Sequence, residues 1–347
     1  MAKTVRVGVI GTGGIATRQA RRLAELDDVE IVAGCDVSEE NLRKFAEKYE
    51  VPHTFSDFNE MVQLEEMDAV TVCTPNYMHK DPTIAALKAG KHVMVEKPMA
   101  MNAGEAQAMV DAAEQSEAEL TMGFQFRLAP EAQAIKRFVD EGRLGKVLFA
   151  RCQALRRRGI PSWGVFGQKE LQGGGPLIDI GVHIMECAHY LMGEPKPVAA
   201  SAQIFTYLGN REPAAAAPWG PWDWKTYTVE DLAIGIIRFD NGAVMSVESS
   251  FAAHIKEDVL NCQLMGEEGG CVLHPPTIFA DQAGTMINIE PHYVGKYQAM
   301  DKKIEDWIGR VRGEVETQCP AIAGLHVQKM LDGLYASAEA GKEVPIE

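Results

Sequence analysis

The 347-residue chain has no apolar run approaching the roughly 18 residues that would mark a transmembrane helix. It has no excess of basic residues. The formal net charge is −15, which disfavours nucleic acid and anionic membrane as partners. It has no CxxC pair. Its seven cysteines (Cys35, Cys73, Cys152, Cys187, Cys262, Cys271 and Cys319) are odd in number and scattered, which predicts reduced thiols rather than a disulfide frame or a zinc site. From Lys3 the chain runs straight into a strand pattern with no signal-peptide pattern, and a cytoplasmic protein is expected. There is no HExxH or H-x-H, and His183 and His189 stand six apart, so no metal set is predicted. Without a G-x-S-x-G there is no support for a serine hydrolase. No repeat or low-complexity segment stands out.

The length predicts two domains, and the apolar content suffices for a full core. Val5 to Ile10 reads as a strand, followed by Gly11-Thr12-Gly13-Gly14-Ile15-Ala16 and an amphipathic helix to about Leu26. A second strand, Val29 to Cys35, ends at Asp36. This is G-x-G-x-x-A between strand and helix, with an acid about 20 positions on. Gly11 permits the tight turn, Gly13 lets the backbone approach a pyrophosphate, and Ala16 allows close helix–strand packing. The helix start at Gly14 and Ile15 offers free N–H groups to the phosphates. Asp36 can accept from both hydroxyls of an adenosine ribose and would repel a 2′-phosphate, so NAD is favoured over NADP. Strands and helices then alternate to about Met122, which predicts a Rossmann-type α/β domain with a parallel sheet over residues 1–123. Ligands of such sheets lie beyond the carboxyl ends of the strands. Thr74-Pro75-Asn76 and Glu96-Lys97-Pro98 fall at those ends, as do the glycine loop and Asp36, and His79, which opens the helix beside them, could contact the nicotinamide side of the cofactor. Lys97 precedes a proline that fixes the local backbone, in a trans or a cis bond. It could donate to, or exchange a proton with, a substrate oxygen.

The βα rhythm stops at Gly123 to Arg127, so the second domain is expected over 124–347. Its pattern is mostly strands, with a hairpin signal at Asp240-Asn241-Gly242, and reads as an α+β domain with a mostly antiparallel sheet. Gly173 to Gly193 reads as a helix with Pro176 in its first turn and a glycine stop. Asp179 and His183, four apart, share one face of it, where a carboxylate can orient an imidazole and raise its basicity. Gly173, Gly174 and Gly175 leave room for something to approach the helix start. Arg127, Arg157 and Trp163 are candidate substrate contacts, with His183. A Pro-, Ala- and Gly-rich loop between Leu208 and Lys225 carries Trp219, Trp222 and Trp224, and serves either a subunit contact or an active-site cover.

With these residues together, the sequence resembles the Gfo/Idh/MocA oxidoreductase family over nearly its whole length. The resemblance rests on Gly11 to Ala16, Asp36, Thr74-Pro75-Asn76 with His79, Glu96-Lys97-Pro98, and the three glycines followed by Asp179 and His183. It implies that Lys97, Asp179 and His183 are the catalytic set, and that an open sheet in the second domain pairs subunits into a homodimer or homotetramer. The expected reaction is hydride transfer between a secondary alcohol of a sugar, sugar derivative or cyclitol and NAD, making the protein an NAD(P)-dependent dehydrogenase. His183 or Lys97 is the proton acceptor, the two being coupled. One alternative is a redox-neutral enzyme that cleaves or epimerises a glycoside through transient oxidation. Another is a non-catalytic regulator that senses NAD and a sugar.

Overall fold

A computed structural model of the chain describes residues 4–347; Met1 to Lys3, which precede the expected first strand, lie outside the described residues. The chain folds as two compact units, residues up to 125 with 298–325, and residues 126–297 with 326–347.

In the first unit β1 (Val5–Ile10), β2 (Val29–Cys35), β3 (His53–Phe55), β4 (Ala69–Val72), β5 (His92–Val95) and β6 (Leu120–Met122) form one sheet. The order is β3-β2-β1-β4-β5-β6 and every pairing is parallel. The connections run through α1 (Gly14–Leu23), α2 (Glu39–Tyr49), α3 (Phe58–Met61), α4 (Lys80–Lys88) and α5 (Ala103–Glu114). β1 and β4 are apolar almost without interruption because helices cover both faces of the sheet. The strand order reverses between β1 and β4, which places a ligand crevice beyond their carboxyl ends. The short β3 has no apolar alternation, its His53 and Thr54 being exposed, which is why periodicity did not reveal it.

The second unit holds α6 (Pro130–Asp140), β7 (Val147–Leu155), α7 (Lys169–Gln172), α8 (Val182–Leu191) and β8 (Pro197–Phe205). β9 (Leu232–Phe239), β10 (Val244–Ser250), β11 (Val259–Gly266), β12 (Gly269–Val272), β13 (Thr277–Gln282) and β14 (Thr285–Ile289) follow. The C-terminal segment adds α9 (Ala299–Val311), α10 (Ala321–Ala340) and β15 (Val344–Pro345). The nine-stranded sheet has the order β14-β13-β12-β11-β7-β10-β9-β8-β15 and is antiparallel except where β7 meets β10. The Asp240–Gly242 turn joins β9 to β10, with Gly242 at φ +84° and the Phe239 N–H on the Ala243 carbonyl. Helix α8 covers the inner face over β7 and β11, while Leu148, Phe205, Ile234 and Ile236 are exposed.

The division differs from the expected 1–123 and 124–347 in one respect. Residues 298–325 join the first unit. The reason lies in α9, whose Ile304, Trp307 and Ile308 enter the core made by Val5, Val7, Ala16, Ala20 and Leu23. Among the described residues no helix is long and apolar enough to cross a membrane. All seven cysteines are buried as thiols.

Trp307 is 1% exposed within that core, so Trp307→Ala should lower unfolding free energy by about 3–5 kcal/mol, measured by urea denaturation. An unchanged midpoint would show that α9 is not part of the first unit's core.

Candidate active site

In the first unit the crevice edge is built from four loops. Gly11 follows β1 at φ +81°, and a Cβ there would lie 2.8 Å from the backbone of Cys73 and Thr74, so only glycine lets the β1 and β4 ends come this close. A Cβ added at Gly13 or Gly14 would meet no protein atom within 4 Å. Side chains there would fill the place from which a pyrophosphate reaches the N–H groups of α1, whose N-terminus has no side-chain cap. Ile15 is half-buried behind that turn. The Asp36 carboxylate is oriented by the glycine loop. Its Oδ2 accepts from the Thr12 N–H (2.7 Å) and hydroxyl (2.9 Å), and its Oδ1 from the Ser38 N–H (2.8 Å). This set of glycine loop, bare helix start and aimed carboxylate fits a dinucleotide. Thr74 donates to the Met78 carbonyl at 2.8 Å, and Asn76 is buried beside the exposed Pro75.

Glu96 is buried. Its Oε1 accepts from Gln19 (2.6 Å) and from the Lys303 ammonium (2.5 Å), its Oε2 from the Lys97 N–H (3.3 Å), and Gln19 in turn accepts from Thr71 (2.6 Å). Burial pushes the Glu96 carboxyl up, but Lys303 outweighs it and holds the group below its ordinary value. Lys97 is half-buried and its bond to Pro98 is cis. His79 has a different place from the expected one. It is 1% exposed, with Nδ1 2.8 Å from the Pro98 carbonyl and Nε2 2.9 Å from the Thr74 carbonyl. Its ring therefore ties two edge loops together rather than facing a ligand, and burial lowers its pKa.

In the second unit, Leu177–Gly181 is a π-helical turn that runs into α8, where an uninterrupted helix was expected. Such turns, with i→i+5 bonding, often occur at functional sites. Asp179 is buried within it, and His183 lies one turn on, stacked on Phe126 at 4.7 Å and 18°. Gly193 ends the segment at φ +82°, as a glycine stop should. Gly173 caps α7 at φ +87°, while Gly174 and Gly175 make room for protein rather than ligand. A Cβ at Gly174 would lie 2.1 Å from the Tyr335 hydroxyl, and one at Gly175 would lie 2.1 Å from the Glu230 carbonyl. The buried Glu230 carboxylate accepts from the Gly175 N–H (2.9 Å), the Leu177 N–H (3.2 Å) and the Tyr335 hydroxyl (2.8 Å). Burial raises its pKa, against the pull of those three donors. Ser249 completes the clamp by donating to the Pro176 carbonyl at 2.8 Å.

Two of the expected substrate contacts are placed elsewhere. Arg127 is 0% exposed, with Nε 2.8 Å from Glu186 and Nη1 2.9 Å from Glu194, so it pins α8 from inside. Arg157 is exposed, its backbone N–H donating to Asp258 Oδ1 at 2.7 Å and its Nη1 to the Lys256 carbonyl at 3.1 Å. Its neighbour Arg156 faces inward, near enough to Asp179 to interact electrostatically with it; burial lowers the Arg156 pKa. Trp163 is exposed and lies beside Trp219, with centroids 5.5 Å apart. Sequence reasoning missed Lys303, Gln19, Glu230 and Tyr335. Only Lys303 left a signal, being a lysine on the apolar stripe of Ile304, Trp307 and Ile308. Among the described residues no group of His, Cys, Asp and Glu could hold a metal ion.

Both parts of the chain match known proteins. Residues 5–124 match a family described as an oxidoreductase family with an NAD-binding Rossmann fold, and residues 132–272 match the GFO/IDH/MocA C-terminal domain. The D-glucoside 3-dehydrogenase of Escherichia coli (strain K12) is 36% identical over 344 residues, covering 99% of this chain and 97% of that protein. The levoglucosan dehydrogenase of Pseudarthrobacter phenanthrenivorans (strain DSM 18606 / JCM 16027 / LMG 23796 / Sphe3) is 30% identical over 246 residues, 66% of this chain and 61% of that protein. A solved levoglucosan dehydrogenase in complex with NADH and L-sorbose shares the fold, with a TM-score of 0.86 at 24% identity over 99% of each chain.

Glu230→Ala would leave two buried N–H groups and the Tyr335 hydroxyl without their acceptor. The expected cost is about 3 kcal/mol or more in urea denaturation, with Tyr335→Phe costing about 1 kcal/mol. Equal effects of the two changes would mean that Glu230 does not hold the turn.

Proposed function

The chain belongs to the Gfo/Idh/MocA oxidoreductase family, and from that premise we propose that it is an NAD-dependent dehydrogenase of a secondary hydroxyl on a sugar or glycoside. The observation that supports this most is the retention, in one chain, of Lys97 at the carboxyl edge of the parallel sheet, of Asp179 on a clamped π-helical turn, and of His183 one turn on in α8. A binding module would need none of the three in these places.

In this reading Gly11, Gly13, Gly14 and Ile15 hold the pyrophosphate at the start of α1, and Asp36 holds the adenosine ribose. Thr74, Pro75, Asn76 and Glu96 form the edge toward the nicotinamide. Bound NAD supplies the acceptor for the hydride that leaves the carbinol carbon. His183 accepts the hydroxyl proton, so the alcohol becomes a ketone with one proton and one hydride removed. Lys97 donates a hydrogen bond to the developing alkoxide, where its positive charge stabilises the transition state more than the neutral alcohol. Asp179 orients the imidazole and stabilises its charged form. Glu96, held by Lys303 and Gln19, fixes the backbone that carries Lys97. The exposed Leu148, Phe205, Ile234 and Ile236 on the outer sheet face support a homo-oligomer that buries this face.

The test is a spectrophotometric screen with NAD and NADP against inositols, aldoses, sugar acids and glycosides. NADH should accumulate with one class; turnover of a glycoside without net NADH would replace this reading by the redox-neutral one. On the active substrate, Lys97→Ala should lower kcat by about 10²-fold or more while NADH affinity changes far less. Near-normal turnover in that variant would remove Lys97 from the mechanism.

A further inference from the structure

We propose that Trp163 and Trp219 form an aromatic subsite for the second ring of a glycoside, an aglycone or a further sugar unit. This deepens the dehydrogenase reading and rests on it. The preferred substrates are then glycosides rather than free monosaccharides.

The pair comes from two separate loops of the second unit. Trp163 is 56% and Trp219 38% exposed, and their rings lie 5.5 Å apart at 34°. Two large apolar rings held together at a surface point to a ligand or a partner. The loops are anchored as a built structure. Ser162 donates to the Trp219 carbonyl at 2.8 Å. The Asp231 carboxylate accepts the N–H groups of Tyr207, Leu208 and Gly209 at 2.9, 2.7 and 2.6 Å, fixing the start of the tryptophan loop. Trp222 is buried and ties the loop back on itself through a 2.7 Å bond to the Gly209 carbonyl.

Arg156 joins this platform to the Asp179 turn. Its guanidinium carbon lies 4.2 Å from the Trp219 ring centroid, a cation–π contact, and 5.6 Å from that of Phe251. It stands at the carboxyl end of β7, its N–H on the Ser250 carbonyl at 2.9 Å. The adjacent Ser249 is the residue that clamps Pro176, ahead of Asp179. Arg156 therefore touches the aromatic pair through its guanidinium and, through its backbone, the strand end whose Ser249 clamps the Asp179 turn. Sugar rings present apolar C–H faces, and aryl aglycones present π faces, both of which stack on indole; the hydroxyls around them match guanidinium donors. A single pyranose held at the turn leaves its substituent as the group to be stacked.

The test compares kcat/KM for phenyl glucosides and cellobiose with that for methyl glucosides, in both anomeric forms where they exist, with NAD in excess. In Trp163→Ala and Trp219→Ala the ratio of the two-ring to the one-ring substrate should fall about three- to tenfold, and Trp219→Phe should keep most of it. Equal losses on both classes, or no change, would overturn the proposal. So would an altered oligomeric state on size-exclusion chromatography with an unchanged ratio, which would assign the pair to a subunit contact. If the unaltered protein oxidises free sugars but no glycoside, the subsite proposal is overturned; if it oxidises nothing in the panel, the dehydrogenase reading itself fails, and binding decides the subsite separately. Saturable quenching of tryptophan fluorescence by cellobiose, lost in Trp219→Ala, supports it; no quenching overturns it.

Discussion

A buried carboxylate met by donors on every side sets the edge of the first sheet. Glu96 takes bonds from α1 through Gln19, from α9 through Lys303, and from the backbone of Lys97. Removing such a charge from water costs several kcal/mol, and the cost is offset only where geometry and hydrogen bonding are nearly complete. The pairing therefore admits few arrangements. It fixes where β5 ends, how α9 lies on the sheet, and where the Lys97 side chain begins. The cost of leaving any one partner unmet keeps the set together. Glu230 does the same for the second unit, with Gly175, Leu177 and Tyr335 as its donors. In both units the residues proposed for chemistry are not themselves the anchors. They follow an anchor by one residue at Lys97, and follow an anchored backbone by two at Asp179.

The sequence made the elements legible because both sheets obey simple periodicities. Apolar runs broken by glycine and proline marked the parallel strands, and alternation with a strong turn at Asn241-Gly242 marked the antiparallel ones. The glycine loop and Asp36 were readable because each residue type there answers a backbone requirement, as the positive φ of Gly11 shows. Long-range partnerships were not readable. Nothing in AMDKKIEDW states that Lys303 will meet Glu96, although its place on an apolar stripe was a usable hint. The division of the chain failed for the same reason. α9 returns to the first unit through tertiary packing that no local window contains.

The misplaced side chains have a common cause. In the sequence Arg127, His79, Gly174 and Gly175 suggest a facing ligand, because polar residues and space near a candidate site do so. In the structure each faces protein. Arg127 meets Glu186 and Glu194, His79 bridges two carbonyls, and the glycines admit Tyr335 and Glu230. A buried polar residue is neutral evidence until its partners are known, since folding demands partners as strictly as catalysis does. Arg156 and Arg157 show how fine the distinction is. They are consecutive at the end of a strand, so their side chains leave opposite faces, one toward Trp219 and the other toward the Lys256 to Asp258 loop.

In the proposed reading, the second unit separates chemistry from selectivity by kind of structure. The Asp179 turn is enclosed by buried polar groups, and any displacement there would strand a donor or an acceptor. Trp163 and Trp219 sit on loops whose backbones are anchored but whose rings are largely exposed. Changing an exposed ring alters what is stacked without disturbing a core, so such loops can change the preferred sugar while the turn keeps the reaction constant. Arg156 limits that freedom. It is half-buried, lies against Trp219, and interacts electrostatically with Asp179, so on the proposed reading a change there would alter recognition and the electrostatics of the reaction together. Divergence within this architecture should therefore proceed through the rings first and through the guanidinium last.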